Sequence, residues 1–118
     1  MILALGANDA LRGLDPTAME RTLDTIVTRL RARNIPVLLV GMLAPRNLGA
    51  DYAARFDPVF PRLAERHRLV FYPFLLDGVV GDAALNLPDG IHPTARGIAI
   101  VAERMLPTVE RFLDGLGR

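Results

Sequence analysis

Asp89-Gly-Ile-His92-Pro93 sets an imidazole three residues after a carboxylate, on a turn just before a C-terminal amphipathic stretch. A carboxylate that fixes the tautomer of a neutral histidine, and steadies its protonated form, makes that histidine a general base toward a hydroxyl. Three residues on a turn let Asp89 reach Nδ1 and leave Nε2 for a substrate. Gly90 permits an unusual backbone angle. Pro93 keeps His92 out of helical geometry and starts the last helix. Taken alone, a D-x-x-H turn is more often a helix-capping loop than part of an active site. The chain contains no cysteine and no serine. It therefore holds the acid and base of a hydrolytic triad without the usual nucleophiles.

Asn8, in Gly6-Ala-Asn8-Asp9, is a second candidate. An asparagine amide at a strand end can donate to a developing oxyanion. The plainer alternative is a turn Asn-Asp pair that bonds to its own backbone. Asp9 reads as structural. Thr94 reads better as a helix N-cap, and Thr17, Thr22, Thr25 and Thr28 fall in the first long helix, so a threonine nucleophile is the less expected alternative.

The elements that must carry these residues alternate. Ile2 to Gly6, Val37 to Met42 and Leu69 to Phe74 are short apolar runs, as expected of parallel strands covered on both faces. Gly6 to Asp9 is a turn, and Leu11 to Pro16 a loop. Asp15-Pro16 starts a helix that runs to about Arg33, with Met19, Leu23, Ile26, Val27 and Leu30 inward. A second helix spans about Ala50 to Arg66, with Tyr52, Phe56, Val59, Phe60 and Leu63 inward. Pro58 and Pro61 predict a kink or break in it. The last runs from about Thr94 to Leu113, with Ile98, Val101, Met105, Val109 and Phe112 inward. The order β-α-β-α-β-loop-α predicts an α/β fold with a parallel sheet. In such sheets ligands bind beyond the carboxyl ends of strands, which puts Asn8 and the Asp89/His92 turn on one edge.

Composition narrows the function. At 118 residues the chain is one domain at most. A net charge of +1 provides no field for nucleic acid, and no arginine cluster comes with an aromatic platform. No His, Asp or Glu spacing suits a metal, and no glycine loop suits a phosphate. Met1-Ile-Leu-Ala-Leu lacks the basic flank of a signal peptide. His67, between Arg66 and Arg68, is expected in solvent at a helix end. Leu11, Met42, Phe74, Leu75 and Val79 could line an acyl pocket or equally belong to the core.

In this order, Gly6-Ala-Asn8-Asp9 and Asp89-Gly-Ile-His92-Pro93 resemble the G-x-N-D and D-G-x-H-P blocks of the SGNH hydrolases, also called GDSL-type esterases. Gly41 to Tyr52 resembles the loop and helix start beside the acyl pocket in the branch of arylesterases, acyl thioesterases and lysophospholipases. The resemblance covers the whole chain. It implies a three-layer α/β/α flavodoxin-like sheet, incomplete here with three strands. It implies that residues 1–118 are a single partial domain, the C-terminal part of such an enzyme. The family's G-D-S nucleophile block and its oxyanion glycine block have no counterpart in these residues.

By the same resemblance His92 is the general base, Asp89 its orienting partner and Asn8 the oxyanion donor, while Gly6 shapes the turn. The substrate is a small acyl ester, with no metal and no cofactor. The isolated chain is expected to be inactive for want of serine, and its unpaired first-strand edge is expected to self-associate. Its compartment is expected to be aqueous, cytoplasmic or periplasmic, with any export signal on the missing N-terminal part. Two other readings stay open: an inactive remnant that binds acyl ligands or a partner, and an unrelated flavodoxin-like domain.

Overall fold

The computed structural model describes residues 1–116. Met1–Phe74 form one compact unit and the chain from Leu75 onward a second. In the first unit β1 (Ile2–Leu3), β2 (Leu38–Val40) and β3 (Val70–Tyr72) lie in sheet order β1-β2-β3. All pairs are parallel, as the alternating element order predicts, with Leu3 beside Leu39 and Val40 beside Tyr72. β2 is the central strand, and Val37 to Val40 are all buried. Its run ends at Gly41, whose N–H donates to the Tyr72 carbonyl at 2.7 Å. A Cβ there would stand 2.2 Å from the Pro73 carbonyl oxygen, so only glycine allows this approach.

β1 differs from expectation. Leu3 is buried, but Ile2 and Leu5 are each 49% exposed. Among the described residues only β2 pairs with this strand, and one of its faces is open.

α2 (Pro16–Ala32) starts where Asp15-Pro16 predicts: the Asp15 carboxylate accepts from the Thr17 amide at 3.0 Å. Met19, Leu23 and Val27 form its buried stripe, while Ile26 and Leu30 are half-buried. The expected second helix breaks at Asp57-Pro58 into α3 (Ala50–Phe56) and α4 (Val59–His67). Pro61 stays inside α4 because the first turn of a helix needs no N–H donor there. Phe56 stacks edge-on against Phe60 at 5.6 Å, and both are fully buried with Leu63 and Val59. α4 packs on α2 and on strands β2 and β3.

The seam between α2 and α4 is ionic at its rim. Glu20 accepts from Arg62 and from Arg66. Asp24 accepts from Arg66 at 3.1 Å and meets His67 Nε2 at 2.7 Å. His67 is thus not solvated as expected; its side chain is 18% exposed. Arg31 from α2 also donates to the His67 carbonyl at 2.8 Å. The His67 bond, then the Arg66 bond, holds the Asp24 carboxyl below its ordinary value; Arg62 is the chief cause for Glu20.

In the second unit α5 (Ala95–Asp114) follows a long turn-rich segment. Thr94 caps it as expected, its hydroxyl accepting from the Gly97 amide at 3.2 Å. Gly97 and Phe112 are buried, and Val101, Met105 and Val109 are half-buried. Ile98 was expected inward but is 57% exposed. Ile98 lies on the same stripe as Met105 and Val109 but at the first turn of the helix, where the described residues leave it uncovered. A Cβ on Gly97 would stand 2.3 Å from the Leu85 carbonyl, so the helix backbone itself packs at that position.

The weights of these contacts predict two outcomes. Phe60→Ala should cost about 3–5 kcal/mol, as expected for a fully buried aromatic. Glu20→Ala should cost less than about 1 kcal/mol, because its arginine partners are half exposed. Urea denaturation followed by circular dichroism measures both; a larger loss from Glu20→Ala would contradict this ranking.

Candidate active site

The Asp89/His92 turn is the tip of a short hairpin in the second unit. Its arms are residues 85–87 and 92–94, joined by an antiparallel bridge between Asn86 and Pro93. Leu87 N–H donates to the His92 carbonyl and Thr94 N–H to the Leu85 carbonyl, each at 2.8 Å. Gly90 turns the tip at φ +69°, and its N–H donates to the Leu87 carbonyl at 2.9 Å. The left-handed angle is why glycine stands there.

Asp89 divides its two oxygens. Oδ1 accepts from the backbone N–H groups of Ile91 at 2.9 Å and His92 at 3.1 Å. Oδ2 faces His92 Nδ1 at 2.7 Å. The imidazole bond first, then the Ile91 and His92 amides, pull the Asp89 carboxyl down to about 2. An ionised carboxylate only accepts, so Nδ1 carries the proton and donates. In the neutral ring Nε2 then holds the lone pair. No described side chain bonds to Nε2, and the His92 side chain is 71% exposed. Such a ring can accept a proton from a hydroxyl brought to Nε2.

Gly6 and Asn8 stand in the first unit. The expected turn at Gly6 to Asp9 is instead taken up by a helix, α1 (Ala7–Leu11), and residues 12–15 form the expected loop. Gly6 is its N-cap at φ +111°, and its carbonyl accepts from Ala10 N–H at 3.1 Å. A Cβ on Gly6 would stand 3.0 Å from both Met19 Sδ and Phe60 Cζ, so glycine is needed for space as well as angle. Asn8 is exposed and its side-chain amide bonds to no described residue. Leu11 is 45% exposed, outside the core, whereas Met42 and Val79 are buried.

The threonines have other work. The Thr22 and Thr25 hydroxyls donate to carbonyls four residues back, at 3.1 and 3.0 Å. The Thr94 hydroxyl donates to the Leu85 carbonyl at 3.2 Å while capping α5. Among the described residues no three His, Asp or Glu side chains gather to hold a metal, and no helix is long and apolar enough to cross a membrane.

Two positioning residues escaped the sequence. The Tyr52 hydroxyl donates to the Leu14 carbonyl at 2.7 Å and lies 3.4 Å from the Asp9 carbonyl, clamping the segment after Asn8. Burial, then the nearby Asp9 charge, raises its phenol above the ordinary value. The sequence marks Tyr52 only as apolar stripe. Asn86 donates from its amide to the Val79 and Asp82 carbonyls, each at 2.8 Å. The only trace of Asn86 in the sequence is a polar residue between two leucines.

Comparison with known proteins adds the following. The GDSL-like Lipase/Acylhydrolase family matches residues 1–100. Esterase TesA of Pseudomonas aeruginosa is 33% identical over 113 residues, 96% of this chain and 56% of that protein. The arylesterase of Vibrio mimicus is 29% identical over 103 residues, 87% of this chain and 52% of that protein. Among solved structures, AlinE4, an SGNH-hydrolase family esterase, is 40% identical with a TM-score of 0.72 over 99% of this chain and 60% of that one. The chain spans about half the length of the curated relatives it matches.

The hydrogen bonds at the tip set a pH dependence. The Asp89 carboxyl lies at about 2 when folded, against an ordinary 3.8. Its bonds therefore stabilise the fold fully above about pH 4, and that contribution fades as pH falls toward 2. Carboxyl carbon shifts followed by NMR should give a midpoint near 2 in the native chain. His92→Ala should raise it toward 3.8, since the imidazole is the largest cause. An unmoved midpoint would mean that the ring does not hold Asp89.

Proposed function

The chain belongs to the GDSL-like lipase/acylhydrolase family, and we propose from that membership that it supplies the acid–base arm and an oxyanion donor of a serine esterase or thioesterase acting on small acyl esters. The observation that carries the proposal is the Asp89–His92 pair, bonded through Nδ1 with no described side chain on Nε2. The relatives' names, an esterase and an arylesterase, supply the substrate class.

A serine hydroxyl, from a segment outside these 118 residues, attacks the acyl carbonyl as His92 Nε2 takes its proton. Asp89 steadies the imidazolium. The tetrahedral oxyanion receives a hydrogen bond from the Asn8 amide. Collapse expels the alcohol or thiol, which takes the proton from His92 and leaves the serine acylated. Water, deprotonated by His92, attacks in turn, and the acid leaves with the serine restored. Gly6 fixes the start of α1 and so the place of Asn8. The whole enzyme works in an aqueous compartment, cytoplasm or periplasm, with residues 1–118 as the C-terminal part of one domain.

The test uses an activated aryl ester. The 118-residue chain alone should release no stoichiometric burst of phenol. Joined behind a segment with the family's nucleophile block, it should turn over. There His92→Ala should lower kcat by about 10⁴-fold or more, and Asn8→Ala by about 10²–10³-fold. A burst from the isolated chain that His92→Ala abolishes would point to a different nucleophile and sink the assignment.

We also propose that the isolated chain self-associates through β1, whose outer edge pairs with no described strand and beside which Met1, Ile2 and Leu5 are exposed. Sedimentation velocity should show concentration-dependent species larger than 12.9 kDa. A monodisperse monomer that unfolds cooperatively would overturn this.

A further inference from the structure

The hairpin that carries Asp89 and His92 is thinly held by its own backbone. Two main-chain bonds join its arms, Leu87 N–H to the His92 carbonyl and Thr94 N–H to the Leu85 carbonyl. Between them Asn86 faces Pro93 as a non-hydrogen-bonded pair, which exchanges no main-chain bond of its own. A two-stranded hairpin in water is marginally stable at best. Something outside the arms must keep the tip from wandering.

The outside anchor is the turn of residues 76–82, and Asn86 on the first arm reaches it. Both donors of its amide are engaged, one by the Val79 carbonyl and one by the Asp82 carbonyl, each at 2.8 Å. The acceptors belong to the turn of residues 76–82, which closes on itself through Val79 N–H to Leu76 at 3.0 Å and Asp82 N–H to Val79 at 3.2 Å. Val79 is fully buried, so the turn is anchored. Leu85, the residue before Asn86, is buried as well. The tip itself is exposed, with His92 at 71% and Asp89 at 43%. No packing fixes the tip, and its direction depends on the base of the hairpin.

We propose that Asn86 is a positioning residue for His92: its side-chain amide ties the anchored 76–82 turn to the hairpin and so keeps the imidazole in line with Asp89. The effect passes through the backbone, without contact between Asn86 and the substrate. A carboxylate at position 86 would lose both donors and set a negative charge against two carbonyl oxygens. The inference rests on His92 being the base, and its test needs no hydrolysis.

The experiment is an NMR titration of the Asp89 carboxyl in the 118-residue chain and in Asn86→Ala and Asn86→Asp. The native midpoint near 2 depends on the imidazole and two amides meeting one carboxylate. With the hairpin untied, the midpoint should climb toward 3.8 by about one unit or more, while α5 keeps its helical signal. Phe112→Ala, which opens a cavity under α5 in the same unit, should leave the Asp89 midpoint in place. If neither variant at 86 folds, Asn86→Ser, which keeps one donor, reads the same shift. A folded variant at 86 with the native midpoint overturns the proposal. So does a shift in Phe112→Ala as large as that from position 86. A failed esterase assay with a shifted midpoint would reject the enzymatic reading and leave Asn86 in its role.

Discussion

At the tip of the 85–94 hairpin, one carboxylate serves three donors. Asp89 gives Oδ1 to two backbone amides and Oδ2 to the imidazole. The amides fix where the carboxylate points, and the carboxylate fixes which ring nitrogen carries the proton. Because Asp89 is largely in water, its charge is not costly to keep, and the hydrogen bonds hold it ionised well into acid. The free Nε2 follows from this arrangement. Desolvation alone would push an aspartate the other way, toward protonation.

The rest of the polar structure follows a similar economy. Among the described residues no polar or charged residue is buried and no buried side-chain polar atom lacks a partner. The core is apolar, built on Phe56, Phe60, Leu63 and the central strand. Charge is kept to rims. Glu20 and Asp24 collect Arg62, Arg66 and His67 at the edge of the α2–α4 seam, where water screens them and each pair adds little. Tyr52 holds α1, its ring in the core and its hydroxyl on a loop carbonyl.

Glycine marks where backbones had to come close or turn. Gly6 needs a left-handed angle and has Met19 and Phe60 above it. Gly97 lets the first turn of α5 touch the Leu85 carbonyl, one residue from the Asn86 brace. The two family blocks therefore stand on segments whose course is set by close contact rather than by loop length.

Much of this was legible in the sequence. Strand order, parallel pairing, the caps at Asp15 and Thr94, the break near Pro58 and the reach of Asp89 to His92 are short-range matters of period, capping and turn geometry. The helix at Ala7–Leu11, the exposed face of β1, the turn of Ile98 to solvent and the His67–Asp24 bond were not. Two of these depend on groups far apart in the chain: α1 is held by Tyr52 on the Leu14 carbonyl, and the His67–Asp24 bond needs α4 against α2. By itself the sequence determined which residues could do acid–base chemistry and on which turns they sit, because a few neighbours decide those. Only the tertiary structure decided what holds them, since a brace such as Asn86 is defined by the carbonyls it meets and these leave no periodic trace in the chain.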